Sequence, residues 1–174
     1  MKKNAFAFIA CLGVATSAFA GHEMATGKDY KNPVEPCFHD QEVHLDVFGS
    51  YVNTQGGGLG DGFGGGLGVS YFFQRYLGVG VDANVASVSD TLWTFSASLI
   101  ARYPLELGSL CIAPYILGGG GVQTDGTTAG TVHAGGGLEW RATPSFGVYG
   151  EGRYTWAGSN DDNARVSLGV RFVF

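Results

Sequence analysis

The sequence predicts an all-β protein, an eight-stranded antiparallel up-and-down transmembrane β-barrel. Three observations carry that prediction. The last ten residues alternate without a break, with Val166, Leu168, Val170, Phe172 and Phe174 on one face and Arg165, Ser167, Gly169, Arg171 and Val173 on the other. A period of two, apolar on one side and charged on the other, means that the two faces meet different media. The same pattern recurs in earlier runs of about ten residues, the span a tilted membrane strand needs. Finally, 30 glycines and 13% aromatics beside only 14% charged residues suit tightly curved strands under a lipid-facing surface better than a soluble globule.

At the N-terminus, Met1-Lys2-Lys3 is basic, Ala5 to Ala15 is apolar, and Ala18-Phe19-Ala20 is an A-x-A cleavage site before Gly21. Residues 1–20 are therefore expected to be a secretory signal peptide. A lipoprotein reading at Cys11 leaves only about seven apolar residues ahead of the cysteine, and the signal peptide is preferred. Nothing downstream offers a transmembrane helix. Removing Lys2 and Lys3 moves the formal charge from -5 to -7, so a mildly acidic chain with no nucleic-acid partner is expected.

Residues 21–42 are polar, contain Pro33 and Pro36 and show no period, which predicts an irregular periplasmic lead-in. Strand-like runs then cover 43–52, 62–73, 76–86, 92–103, 110–121, 131–141, 146–156 and 165–174, forming a barrel over 43–174. Eight is the smallest common bacterial barrel. The expected periplasmic connections, Gln74-Arg75, Pro104 to Ser109 and Thr143-Pro144-Ser145, are short or marked by proline. Those expected outside, Asn53 to Asp61, Ser87 to Thr91, Val122 to Gly130 and Ala157 to Ala164, are mostly longer and rich in Gly, Asn, Asp and Thr.

One face of these runs carries Leu45, Leu67, Val81, Phe95, Leu138 and their like. The other carries Asp46, Asp82, Arg102, Glu139, Arg141, Glu151, Arg153 and Arg171. Turning the four arginines toward lipid would cost roughly 2–4 kcal/mol each near the midplane, so the charges are expected inside as a self-neutralising network. A hairpin register with Trp156 opposite Val166 would set Glu151 beside Arg171. Gly64, Gly66 and Gly68 would leave room for arginines from the far wall. Running the strands alternately up and down gathers Tyr51, Phe63, Trp93 and Trp156 at the outer rim. Tyr71, Phe73, Tyr103, Trp140, Phe146, Phe172 and Phe174 gather at the periplasmic rim, giving the two aromatic belts of a membrane protein. The run 110–121 is apolar on both faces before Gly118 to Gly121, and its facing stays open. A soluble lipocalin-type barrel would explain neither the belts nor the terminal Phe.

Cys37 and Cys111 both fall at the periplasmic end, and residues 37–42 can extend roughly 20 Å, enough to cross beneath a narrow lumen. In an exported protein a disulfide between them is permitted. His22 and His39 add too few ligands beside Cys37 for a metal site.

Over residues 43–174 the chain resembles the small eight-stranded outer-membrane barrels of the OmpA/OmpX type. The resemblance is carried by pattern and by the end Val170-Arg171-Phe172-Val173-Phe174. That end looks like the signal read by the barrel-assembly machinery of Gram-negative bacteria, with Val170, Phe172 and Phe174 as its apolar positions. Pro114-Tyr115 before a glycine run is also familiar from such proteins, and no peptidoglycan-binding domain is expected after the barrel. The resemblance implies an integral outer-membrane barrel whose partners are outer-membrane lipid, lipopolysaccharide and the assembly machinery.

Some barrels of this size act enzymatically on lipid A. The deacylase kind needs a His-x-Ser pair with an acid, but His133 is followed by Ala134-Gly135 and His44 by Leu45-Asp46. The palmitoyl-transferase kind needs an Asp-Ser pair with an outer-rim His, whereas Ser89-Asp90 is reversed. His133 reads as an inward hydrogen bonder. Gly56 to Gly66 lacks the Lys-Ser/Thr and following helix of a phosphate loop, and Ser159 to Asn163 lacks the spacing of a calcium loop. The expected function is non-enzymatic and needs no cofactor: a structural or surface-interaction role in the Gram-negative cell envelope. A lipid A-modifying enzyme and a narrow pore are the alternatives.

Overall fold

The computed structural model describes residues 36–55, 60–88, 91–108, 110–158 and 162–174. The expected signal peptide, residues 21–35 of the lead-in, Ser89-Asp90, Ser159 to Asp161 and residues 56–59 of the glycine-rich stretch lie outside them.

Among the described residues, nine strands follow one another: β1 Glu42–Gln55, β2 Gly62–Gln74, β3 Leu77–Ser87, β4 Thr91–Arg102, β5 Leu105–Leu107, β6 Leu110–Thr124, β7 Thr128–Thr143, β8 Phe146–Ala157 and β9 Asp162–Val173. Eight of them form the wall. Each pairs antiparallel with its sequence neighbour, β1 pairs with β9, and β4 pairs with β6 to close the ring. The ninth, β5, is a three-residue strand inside a connection expected on the periplasmic side, folded onto the start of β6. Full closure leaves no unpaired edge, which is the condition for a sheet to cross lipid.

The strands run further outward than the apolar pattern implies. The β6–β7 ladder continues to Thr124↔Thr128 and β9 begins at Asp162, so the external connections shrink to a few residues. Polar residues there satisfy the pairing as well as apolar ones would, and hydropathy cannot mark the strand end. At the other end, Glu42 belongs to β1 rather than to the lead-in, because the alternation Glu42, His44, Asp46 already points inward.

Inward and outward faces separate by parity in the eight wall strands. Leu67, Leu99, Ile116, Leu168 and their neighbours form an exposed apolar band around the wall. In β6 the open facing is settled: Cys111, Ala113, Tyr115 and Leu117 point in, and Pro114 and Ile116 point out. Tyr115 joins Phe48, Leu117 and Tyr149 in an apolar cluster at mid-height, packed by Ile100.

Of the inward glycines, Gly66 and Gly137 serve these rings rather than arginines, while Gly64 packs against Ala86. A Cβ at Gly66 would sit 2.5 Å from the Phe48 ring, and one at Gly137 would sit 2.6 Å from that of Tyr115. Gly68 lies between two charged side chains, Asp46 and Asp82, and Gly147 lies against that of Arg141. Aromatic rings thus occupy the space that the glycine walls leave open.

Candidate functional site

The lumen gathers ionised groups in two clusters. Near the periplasmic mouth, Glu42 accepts hydrogen bonds from Arg102 at 2.7 Å and from both terminal nitrogens of Arg141 at 2.8 and 2.7 Å, with His44 Nε2 at 3.1 Å. Arg141 Nε donates to Glu139 at 2.7 Å, and Arg171 Nη1 donates to the other oxygen of that carboxylate. Arg171 also forks onto Asp46 at 2.8 and 2.7 Å, the bidentate geometry in which a guanidinium binds a carboxylate best. Alternating signs run in one chain from Arg102 to Asp46.

The second cluster lies nearer mid-height. Asp82 receives Arg153 at 2.8 Å and Arg165 at 3.2 Å, and Glu151 pairs with the same two arginines at 3.0 and 3.6 Å. The Tyr115 hydroxyl donates to Glu151 at 3.1 Å. Asp46, Asp82, Arg102, Glu139, Arg141, Glu151, Arg153 and Arg171 all point inward, joined by two residues that the sequence reading leaves out of the set. One is Glu42, assigned there to the lead-in. The other is Arg165, visible on the polar face of the terminal alternation but not counted. Each buried charge has an opposite one within reach, as a low-dielectric interior requires.

The expected Glu151–Arg171 pair does not form. In the β8–β9 register Glu151 faces Ser167 and Arg171 faces Gly147, four residues away from the alignment of Trp156 with Val166. The shorter external turn lets the ladder close higher, and there the Ala157 amide and the Tyr154 hydroxyl both donate to Asp162.

Above the charges the lumen becomes neutral. Ser50 donates to Asn84 at 2.7 Å and Asn163 to Gln123 at 2.8 Å. Val52, Ala86 and Leu92 pack together at the outer end. Ser98 Oγ lies 2.8 Å from His133 Nε2, a contact between β4 and β7 that the sequence does not reveal. It faces the lumen, and His133 Nδ1 has no hydrogen-bonding partner among the described residues, so no acid orients the ring as nucleophilic catalysis would need.

At the periplasmic mouth Cys37 is bonded to Cys111, with Cα atoms 6.0 Å apart. Phe38 is fully buried against Cys111 and Ala113. The internal cavity between the ends, walled by Asp46, Ser70, Asp82 and Tyr149 among others, measures about 40 Å³. That is room for a water or two rather than for a substrate.

At the chain end, Val170 and Phe172 lie on the lipid-side face, and Phe174 is 77% exposed while its backbone pairs with Val43 in both directions.

No family model and no curated protein sequence matches this chain. Solved structures do match. The N-terminal β-barrel domain of Pseudomonas aeruginosa OprF is 16% identical over 78% of this chain and 99% of its own, with a TM-score of 0.63. Neisserial surface protein A is 18% identical over 75% of this chain and 95% of its own, with a TM-score of 0.59. Ail of Yersinia pestis, the attachment invasion locus protein, is 15% identical over 78% and 99%, with a TM-score of 0.57. Ail has also been solved in complex with the heparin analogue sucrose octasulfate. With its closed ring, lipid-side apolar band and charge-filled lumen, the chain has the fold of the small eight-stranded outer-membrane barrels.

Proposed function

We propose that the protein is an integral outer-membrane barrel that acts without catalysis, as a structural or surface-interaction component of the Gram-negative cell envelope. The observation that carries this reading is the filled lumen: five carboxylates and five guanidinium groups neutralise one another inside, while apolar clusters occupy both ends. Among the described residues the charge-lined cavity measures only about 40 Å³, which speaks against both a water-filled pore and an acyl-sized lipid-modifying site. Contact with the surroundings falls to the apolar wall, which meets membrane lipid, and to the external rim, which meets lipopolysaccharide and whatever lies beyond. The terminal Val170, Phe172 and Phe174 are the part offered to the barrel-assembly machinery.

The rim also narrows the class of surface partner. Ail is known bound to a sulfated heparin analogue. Here residues 53–61, 87–91, 122–130 and 157–164 contain Asp61, Asp90, Asp125, Asp161 and Asp162 but no Lys or Arg. A polyanion would find no counter-charge, so a basic or neutral partner is the better fit.

Planar-bilayer recording of the refolded protein tests the reading directly. The expected trace shows no steady conductance, and a stable open channel would transfer the assignment to a pore. Hydrolysis of lipid A acyl chains that disappears in His133→Ala would transfer it to an enzyme.

A further inference from the structure

Residues 37–41 do not hang below the barrel. The chain reverses at Gln41, whose φ of 61° places a non-glycine residue in the left-handed region, and the segment turns back into the mouth. Phe38 is inserted with no exposed surface, with the Arg141 guanidinium 4.2 Å and the Arg102 guanidinium 5.0 Å from its ring. Those arginines also hold the backbone: Arg141 donates to the Cys37 carbonyl at 2.6 Å and Arg102 to the His39 carbonyl at 3.2 Å. The Cys37 amide donates to Glu106 at 2.9 Å, the His39 amide donates to Glu42 at 2.6 Å, and Asp40 accepts from the Arg75 amide.

We propose that residues 37–41 are a plug in the periplasmic mouth, latched by the Cys37–Cys111 bond, and that reducing this bond opens the mouth. The inference takes its orientation from the function proposed above and goes beyond it.

Two features distinguish a latch from a staple of the fold. The ring closes through β1–β9 and β4–β6 pairing without any residue before Glu42, so the wall does not need the bond. The hydrogen bonds on Cys37 and His39 are at most half-buried, and water can replace them when the segment leaves. What remains is the insertion of one ring and one covalent tie.

Access favours exchange at Cys37, which is partly exposed, over Cys111, which is buried. A thiolate of a dithiol reductant attacks Cys37 Sγ, and Cys111 Sγ leaves with the electron pair and takes up a proton. The reductant's second thiol then attacks the mixed disulfide and releases the Cys37 thiol. The protein gains two thiols and the reductant becomes a disulfide. Once Phe38 withdraws, Glu42, His44, Arg102 and Arg141 meet periplasmic water.

Chymotrypsin cleavage after Phe38 reads the plug, because the bond is protected only while the ring is buried. With folded protein in detergent micelles and products read by intact mass, dithiothreitol should speed this cut by roughly tenfold or more, since cleavage follows the open population. Cys37→Ser with Cys111→Ser should be cut at the faster rate without reductant, while the barrel stays heat-modifiable. An unchanged rate on reduction would overturn the latch. So would a barrel that no longer folds without the bond, since the bond would then be a structural staple. A conducting channel in the oxidised protein would instead refute the proposed function while leaving the cleavage comparison intact.

Discussion

Arg153 and Arg165 face each other across the β8–β9 ladder, and both reach over the lumen to one carboxylate, Asp82. Directly opposed like charges destabilise a strand pair. Asp82 and Glu151 are what make this pair tolerable. Asp82→Asn should therefore destabilise the barrel by about 3–5 kcal/mol, the cost of leaving a buried charge short of a partner. Adding Arg165→Gln should restore part of that loss. Urea unfolding of the refolded protein measures both, and a double variant less stable than Asp82→Asn would contradict the shared-carboxylate account.

Arg171 serves the other cluster. Its fork on Asp46 predicts strong coupling, of order 1–3 kcal/mol, in a double-mutant cycle of Asp46→Asn with Arg171→Gln. The cycle of Glu151→Gln with Arg171→Gln should show much weaker coupling, because those side chains have different ionic partners. Equal coupling in the two cycles would mean that the clusters act as one.

The difference between these cycles shows what alternation encodes. Side-chain parity is fixed by a two-residue period, so the faces of β8 and β9 are legible from Arg153, Tyr154, Val166 and Arg171 alone. A slip of four residues preserves every face, and the pattern cannot detect it. The ladder height is set instead by contacts of the turn, such as Asp162 with Ala157. Sequence is silent in the same way about β6, where both faces are apolar and only the inward packing of Tyr115 against Phe48 decides. Phe38 is one of only two aromatics, with Tyr30, in the polar, aperiodic stretch 21–42, and nothing in its neighbourhood announces that it enters the lumen. The Cys37–Cys111 pairing is undecided by the sequence, which brings two cysteines to one end of a barrel without requiring that they bond.

Phe174, proposed above as part of the assembly signal, also belongs to the barrel seam. Its amide and carbonyl bond Val43, at 2.9 and 3.0 Å, while its ring projects outward. Deleting Phe174 should reduce the heat-modifiable protein in the outer-membrane fraction and leave export unchanged. Phe174→Ala keeps the backbone pair and should show most of the same loss if the ring is what the assembly machinery reads. Equal folded amounts in deletion and parent would rule out the assembly role.

Charge at the external rim leads to a binding prediction with a definite sign. Asp61 accepts from the Tyr51 hydroxyl at 2.9 Å and from the Asn53 amide at 2.8 Å, and these contacts hold its carboxyl below the usual carboxylate range. A lowered value means that the ionised contact is complete above the ordinary carboxylate range and is lost only as the pH falls through the lowered one. Asp61 thus keeps its negative charge throughout the neutral and mildly acidic range. The refolded protein should pass through a heparin column at about 0.15 M salt, an ionic strength at which surface charges still act over some 8 Å. It should be held by immobilised polylysine, with retention falling as salt is added. Asp125→Lys with Asp162→Lys should weaken the polylysine retention. Binding of the unmodified protein to heparin would show that charge does not choose its partner.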